Sequence, residues 1–475
     1  MKHVFLTLFF LCLYTFVFAS IDADLHVYKF QQEQNHYIEV HSRISAESLT
    51  WQEIDGESKA SVDYLLLIRQ VGGDTIHAQK LVLEAQQESS KDLMDVRRIM
   101  LSPGNYEAVL NITDQFNTAS TQQLVYAFEL TEHLGVQQSS LILNVDNQRC
   151  VEQQMNCKNG LSIEPLPWNI SSEDNKIIYL YNELMRSDWL GGPFFIAFGV
   201  QNEKGEEISK RYKRMDPQEQ IILNLPFDIS NLVSGEYFFF LDVYNEGKTK
   251  MSGVVAPFTK VNPSADLEAI ASYNDNVKTA WVQEIPEEDL VFDLKSIWPL
   301  VANHRTATLD QITRSEKPRL QRHFIYTFWK ERGGDNPEAA YYQYREVAKA
   351  VDKRFYNSVG FGTETDRGYI YLKYGKPNDI IAVEDEPEAP PYQIWRYNYI
   401  PNTKQNNVKF IFYNPSLASN DFQLLHGTCR GELQNPAWEV ELYRRAPWDQ
   451  QGTTVQATTV SDNYNRQARR IFEDL

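Results

Sequence analysis

Leu101-Ser-Pro-Gly-Asn-Tyr-Glu-Ala-Val-Leu-Asn-Ile112 and Leu232-Val-Ser-Gly-Glu-Tyr-Phe-Phe-Phe-Leu-Asp-Val243 share one pattern, L-x-x-G-x-Y-x-x-x-L-x-[IV]. In each copy the Gly is placed to take the positive φ of a tight turn, and the Tyr begins a strand. Alternation then sets Tyr106, Ala108, Leu110 and Ile112 on one face, matched by Tyr237, Phe239, Leu241 and Val243. A repeat at whole-domain spacing predicts two β-sandwich domains in tandem, not a short-period solenoid.

Around the first copy, Val62 to Ile68 and Gln79 to Leu83 are apolar or alternating and are separated by Gly72-Gly73-Asp74. Short strands punctuated by turn residues run from about Asp24 to Glu132 and predict an immunoglobulin-like sandwich over residues 20–133. The second sandwich is expected over 134–262, its strands ending near Phe258, before Asn262-Pro263-Ser264. Beyond that point the period changes. Leu320, Phe324 and Phe328 fall four apart beside Ile325 and Trp329, a helical stripe with Ser315 and Pro318 in its first turn. Asn336-Pro337-Glu338 reads as an N-cap, a first-turn Pro and a dipole-matched acid, and Ala340, Tyr344, Val347, Val351 and Phe355 follow as its core face. Strands are expected again over Tyr369 to Tyr374, stopped by Gly375-Lys376-Pro377, and over Ile394 to Tyr397 and Val408 to Tyr413. The fold class is therefore two all-β sandwich domains followed by an α+β domain over 263–447. Residues 448–475 read as a polar, Thr-rich linker (450–463) and a short helix from Arg466.

The 475 residues carry 46 Lys and Arg against 64 Asp and Glu, a formal charge of −18, which disfavours a nucleic-acid partner. With 42% hydrophobic residues the chain has enough apolar surface to pack several cores. Lys2 and His3 precede an uncharged apolar run from Val4 to Phe18, and Val17-Phe18-Ala19 places small residues at −3 and −1 of a cleavage before Ser20. This predicts a signal peptide over 1–19; a retained anchor is the competing reading. Cys12 sits inside the apolar run and not after a cleavage point, so lipidation is not expected. No later run is long enough to span a bilayer, so no transmembrane segment is expected in the mature chain.

Cys150 and Cys157 lie seven apart in a polar stretch without a His, and in an oxidising compartment they are expected to form a disulfide and no metal site. Cys429 is left over.

Gly362-Thr-Glu-Thr-Asp-Arg-Gly368, followed by Tyr369-Ile-Tyr-Leu-Lys-Tyr-Gly-Lys-Pro377, resembles the GWxTD domain of exported envelope proteins common in the Bacteroidota. Gly362, Thr365, Asp366, Arg367, Gly368, Tyr374, Gly375 and Pro377 match its pattern; Thr363 stands where the family has Trp. Phe328-Trp-Lys-Glu-Arg332, Pro391-Tyr-Gln-Ile-Trp395, Phe410-Ile-Phe-Tyr413 and Trp438 are similar to flanking family segments. The resemblance implies a cell-envelope protein, periplasmic or outer-membrane-associated, whose partners are other envelope proteins. It implies no biochemical activity. Physically, Asp366 and Arg367 lie between glycines at an expected helix-to-strand junction, where Asp accepts backbone N–H groups and Arg bridges two acceptors. The functional alternative is a small polar site around Arg367 for a peptide terminus or carboxylate.

The nine histidines include no H-E-x-x-H, and no nucleophile elbow, P-loop or dinucleotide fingerprint is present. No catalytic residues, metal or cofactor are therefore expected. Glu384-Asp-Glu-Pro-Glu388 reads as a solvated acidic loop, and Asp74-Thr75-Ile76 as a weak O-glycosylation acceptor at Thr75. The expected function is a non-catalytic interaction or scaffolding role. The alternatives are a carbohydrate-binding protein, and an envelope hydrolase or peptidase pairing Arg367 or Asp366 with His304, His323 or His426.

Overall fold

The computed structural model describes residues 21–32, 35–54, 56–86, 92–118, 120–131, 135–151, 154–272, 280–315, 317–435, 437–444 and 466–475. The expected signal peptide and the polar linker over 450–463 lie outside these residues. The described chain is mostly β-sheet, with its helices concentrated after residue 262.

The first strands are β1 (Ala23–Gln32), β2 (Asn35–Ile44), β3 (Gln52–Ile54), β4 (Glu57–Gln70), β5 (Thr75–Gln86), β6 (Leu93–Leu101), β7 (Gly104–Asp114) and β8 (Thr121–Leu130). One sheet has the order β1-β2-β6; the other runs β3-β4-β7-β8, with β5 also on β4. In β4, Ala60, Val62, Tyr64, Leu66 and Ile68 are all fully buried, the period-two signature of a strand with one face on a core. Tyr106, Ala108, Leu110 and Ile112 of β7 are buried as the repeat predicted.

Next come β9 (Gln137–Gln138), β10 (Ile142–Asn144), β11 (Cys157–Lys158), β12 (Leu161–Ser162), β13 (Ile170–Ser171), β14 (Ile177–Met185), β15 (Phe194–Asn202), β16 (Glu207–Met215), β17 (Gln220–Asp228), β18 (Gly235–Tyr244) and β19 (Lys250–Lys260). β10-β14-β17, with β9 on β14, faces β13-β19-β18-β15-β16 across one core. Leu180, Leu223 and Phe227 meet Phe194, Phe239, Leu241 and Phe258 there. Phe239 stacks on Phe258 (4.7 Å between centroids) and takes Phe227 edge-on (5.5 Å), geometry that aromatic quadrupoles favour. The repeat glycines differ from expectation: they open strands and do not make left-handed turns. Gly104 is close to extended at φ 158°, and Gly235 has no positive φ. At Gly235 the constraint is space, because a Cβ would meet the Tyr237 ring at 3.2 Å. The Tyr237 hydroxyl in turn donates to the Val233 carbonyl at 2.9 Å.

The last region holds α1 (Pro263–Ser272), α2 (Glu287–Ser296), α3 (Thr306–Arg314), α4 (Pro318–Arg332), α5 (Pro337–Phe355) and α6 (Asp366–Tyr374). The antiparallel sheet β20 (Asp379–Val383), β21 (Tyr392–Ile400), β22 (Gln405–Tyr413), β23 (Gln423–Gly427) follows, then α7 (Trp438–Leu442) and α8 (Ala468–Asp474). Ala348, Val351, Phe355, Ile370 and Leu372 cluster with Trp395, Tyr397, Phe410 and Phe412 on one sheet face. Ile394, Ile411 and Leu425 on the other face cluster with Trp438, Leu442 and Ala468. Both faces are therefore covered.

Tyr369 to Tyr374 is helix, not strand: Arg367, Ile370, Tyr371 and Tyr374 also fall at helical spacing, and the caps decide between the two periods. In α5 the buried residues are Tyr341, Ala348, Val351 and Phe355, while Val347 is 42% exposed, so the core stripe is rotated from the expected one. Ser315 ends α3 instead of entering α4. Asn336 caps α5 as predicted, its side chain accepting from the Ala339 N–H at 3.0 Å.

The chain divides into two compact units. One contains residues 21–25, Ser42–Met94 and Tyr106–Ala127; the other contains His26–His41, Asp95–Asn105 and Phe128–Leu475. Among the described residues no helix is long and apolar enough to cross a membrane.

Candidate functional site

The segment Gly362–Pro377 is built from its two close glycines outward. A Cβ on Gly362 would run into the Asp352 carbonyl and lie 2.8 Å from the Tyr356 nitrogen, so only glycine lets this strand of chain lie on the end of α5. A Cβ on Gly368 would run into the Gly362 carbonyl and sit 3.0 Å from Thr363 Cα. The Gly362 N–H donates to Asp352 Oδ1 at 2.6 Å. Thr365 caps α6: its Oγ1 accepts from the Gly368 N–H at 3.1 Å and donates to the Gly362 carbonyl at 2.8 Å. Gly375, at φ 84°, ends the helix, with its N–H on the Tyr371 carbonyl (2.8 Å) and its own carbonyl accepting from the Tyr397 hydroxyl (2.9 Å). Pro377 is buried just before β20.

The polar members of the segment join helix to sheet. Asp366 Oδ2 accepts the Leu424 N–H of β23 at 2.6 Å. Arg367, 3% exposed, donates to Gln393 Oε1 (3.3 Å) and to the carbonyl and Oδ1 of Asn420 (3.1 Å each). Its guanidinium lies over Phe422 (4.1 Å) and Phe355 (5.0 Å). Burial, with Arg354 nearby, pulls its pKa down to about 10. Tyr374 stacks on Phe410 (5.8 Å) and donates to Glu432 at 2.6 Å, which also holds Lys373 at 2.7 Å. Thr363 is buried and its hydroxyl has no partner among the described residues, while Phe361 packs edge-on against Phe292 at 5.2 Å. Of the histidines weighed as partners for this segment, His426 has Nδ1 accepting from the Asn435 N–H (2.9 Å) and burial lowers its pKa to about 4. His304 Nδ1 lies 3.4 Å from Glu236.

Residues 295–441 match the family model of the GWxTD domain. The chain carries a GWxTD domain. That match spans roughly a third of the chain. No curated protein matches the chain. Among solved structures, it is similar to the fibronectin(III)-like modules of Clostridium thermocellum CbhA, at 10% identity over 49% of this chain and 87% of that one, with a TM-score of 0.16. It is also similar to red sea bream transglutaminase (10% identity, 50% of this chain, 31% of that one, TM-score 0.16) and to BcpA, the major pilin subunit of Bacillus cereus (8%, 51%, 69%, 0.15). The chain spans under a third of the transglutaminase's length. Overlaps this loose carry no conclusion about the chain.

Outside the GWxTD domain, Cys150 and Cys157 form a disulfide. Next to it, Asn159 (φ 52°) and Gly160 (φ 75°) make the tight turn between β11 and β12. Lys158 points inward from this hairpin, 2.8 Å from Glu39 Oε1, 3.3 Å from Glu183 Oε1 and 2.5 Å from the Tyr37 hydroxyl, with its amine 3.7 Å from the Phe30 ring centroid. Arg98 donates to Glu39 at 2.8 Å; Tyr181 and Asn159 donate to Glu183 at 2.7 and 3.1 Å. Sequence reasoning missed this cluster. Asn159-Gly160 is a turn signal, but nothing local marks the partners: Tyr37 and Glu39 lie more than a hundred residues before Lys158, and Glu183 lies on β14. Burial alone would raise the Glu39 pKa; the His41 hydrogen bond and the Lys158 charge outweigh it and hold the carboxyl at about 2. A depressed carboxyl contributes stability that is present above its unfolded pKa and is lost as pH falls through the folded one. The stability difference between wild type and Glu39→Gln, measured by urea unfolding, is therefore expected to shrink by about 3 kcal/mol between pH 4.5 and 2. A difference that holds constant down to pH 2 would contradict this.

The remaining sites are placed as follows. Thr75 is exposed at the first residue of β5. Cys429 is buried and in no disulfide among the described residues. Glu386 corrects the solvated-loop reading: it is buried and accepts from Tyr392 (2.5 Å), from Tyr443 and from the Gln467 N–H (2.8 Å), tying α8 to the domain. Three donors replace the water this carboxylate would otherwise need. Among the described residues no His, Cys, Asp and Glu cluster is arranged to hold a metal.

Proposed function

We propose that this chain is an exported, non-catalytic component of a cell-envelope assembly, in which immunoglobulin-like sandwich modules carry the GWxTD domain to partner proteins. The observation that carries this reading is how the GWxTD segment uses its polar groups. Asp366 is bonded to β23, Arg367 is enclosed by Phe355 and Phe422, and Tyr374 is held by Glu432, so the polar chemistry of the segment forms the helix–sheet joint. What such a domain offers to other molecules is its outer surface. Export is supported by the apolar run Val4 to Phe18 with Val17-Phe18-Ala19 after its charged start, and by the Cys150–Cys157 disulfide, which persists in oxidising compartments. The family resemblance favours the periplasm or the outer membrane of a Bacteroidota-type envelope.

The test is in-cell crosslinking of the tagged full chain followed by its recovery from the native envelope. Stoichiometric recovery of particular envelope proteins is expected. Recovery of the chain alone would overturn the assembly role.

A further inference from the structure

The edge strand β16 is chemically unlike the rest of the molecule. Its sequence is Glu207-Ile-Ser-Lys-Arg-Tyr-Lys-Arg-Met215, four cations and one acid in a chain with a formal charge of −18. It ends the order β13-β19-β18-β15-β16, so among the described residues only β15 pairs with it and its second main-chain edge is unpaired. Nearly every residue is exposed, Tyr212 at 66% and Ile208 at 47%. Lys210 pairs with Glu207 at 2.7 Å and Arg211 lies over Phe227 at 4.7 Å. Lys213 and Arg214 have no acidic partner among the described residues. Alternation spreads the charge over both faces, with Lys210, Tyr212 and Arg214 on one and Arg211 and Lys213 on the other.

We infer that β16 receives an extended acidic segment of a partner polypeptide as a sixth strand of this sheet. An open edge offers a regular ladder of N–H and C=O groups that an extended main chain pairs in register, which sets a peptide apart from an anionic glycan or lipid. The same cations set the sign. A second copy of β16 would bring its own four cations against these, and like charges opposite one another on paired strands repel. That repulsion guards the edge against self-association, while acidic residues along an added strand meet the cations on both faces. Electrostatic matching of this kind selects the partner and its register more than it adds raw affinity.

This inference rests on the interaction reading proposed above, and its test separates the two. The probe is a synthetic peptide as long as β16, alternating Glu with Val and Thr, titrated by fluorescence anisotropy into the full chain at physiological salt. A second probe carries Lys in place of Glu, and a third keeps Glu but has alternate backbone nitrogens methylated. The Glu probe is expected to bind and the Lys probe not to. Affinity should fall about tenfold in the exposed double variant Lys213→Glu/Arg214→Glu, whose unfolding midpoint should match wild type. Methylation should weaken binding at least as much, since it removes the main-chain donors. Equal binding of the methylated probe would reduce the surface to a charged patch and overturn the added strand. So would failure of the Glu probe to bind wild type, or an unchanged affinity in the double variant. If crosslinked partners are still recovered when the probe fails, the edge strand is excluded and the assembly role stands.

Discussion

Gly368→Ala is expected to destabilise the GWxTD domain by about 3 kcal/mol or more, read as an early loss of buried-Trp395 fluorescence during urea unfolding of the full chain. The added methyl group would enter the Gly362 carbonyl, which cannot withdraw. That carbonyl accepts from Thr365 Oγ1 at 2.8 Å, and Gly362 itself is pressed against the end of α5. Relief therefore requires separating α6 from α5, which opens the cluster around Phe355, Ile370 and Trp395. Gly375→Ala is the control. Gly375 has φ 84° and ψ −166°, a region essentially reserved for glycine, but nothing lies within 4 Å of its Cβ position, so its cost is confined to backbone strain of about 1–3 kcal/mol. Equal costs at the two positions would mean that close approach is not what Gly368 provides.

Lys158→Met carries the second large effect, about 3–5 kcal/mol, because it leaves Glu39 and Glu183 buried without the cation between them. The remaining donors, Arg98 and His41 to Glu39 and Tyr181 and Asn159 to Glu183, supply hydrogen bonds but only one fixed positive charge, since burial lowers the His41 pKa and Arg98 is itself partly exposed. Adding Glu183→Gln should recover a substantial part of the loss. A double-mutant cycle by urea unfolding measures that coupling. Additive losses would show that Lys158 and Glu183 do not act as a pair.

The β-regions were legible because one signal, period-two alternation, coincided with real burial. Tyr106, Ala108, Leu110 and Ile112 face inward, as Tyr237, Phe239, Leu241 and Val243 do. The GWxTD segment was legible as a pattern but not as a conformation. Tyr369 to Tyr374 satisfies both a period of two and a helical stripe, and the deciding signals lay outside it, in the Thr365 cap and the Gly375 stop. The strands Asp379–Val383 and Gln423–Gly427 were missed because each is five residues long and its pattern is too short to establish a period. Lys158 and Glu386 show a different limit. Each is a charged residue in a polar stretch, and only chain-distant partners, Glu39 for one and Tyr443 for the other, make it part of a core. The basic run in β16 was visible in the sequence, but that it lies on an open edge depends on strand order.

On the proposed reading the GWxTD segment is a structural joint, and contact with partners lies elsewhere. This division of roles is tested most directly by repeating the crosslinking recovery with Arg367→Met and Gly368→Ala beside wild type, with the folded fraction of each measured in the same preparation. Partner recovery per folded molecule is predicted to be the same for all three. A variant that is as folded as wild type yet loses its partners would put the contact at the segment itself and contradict the account.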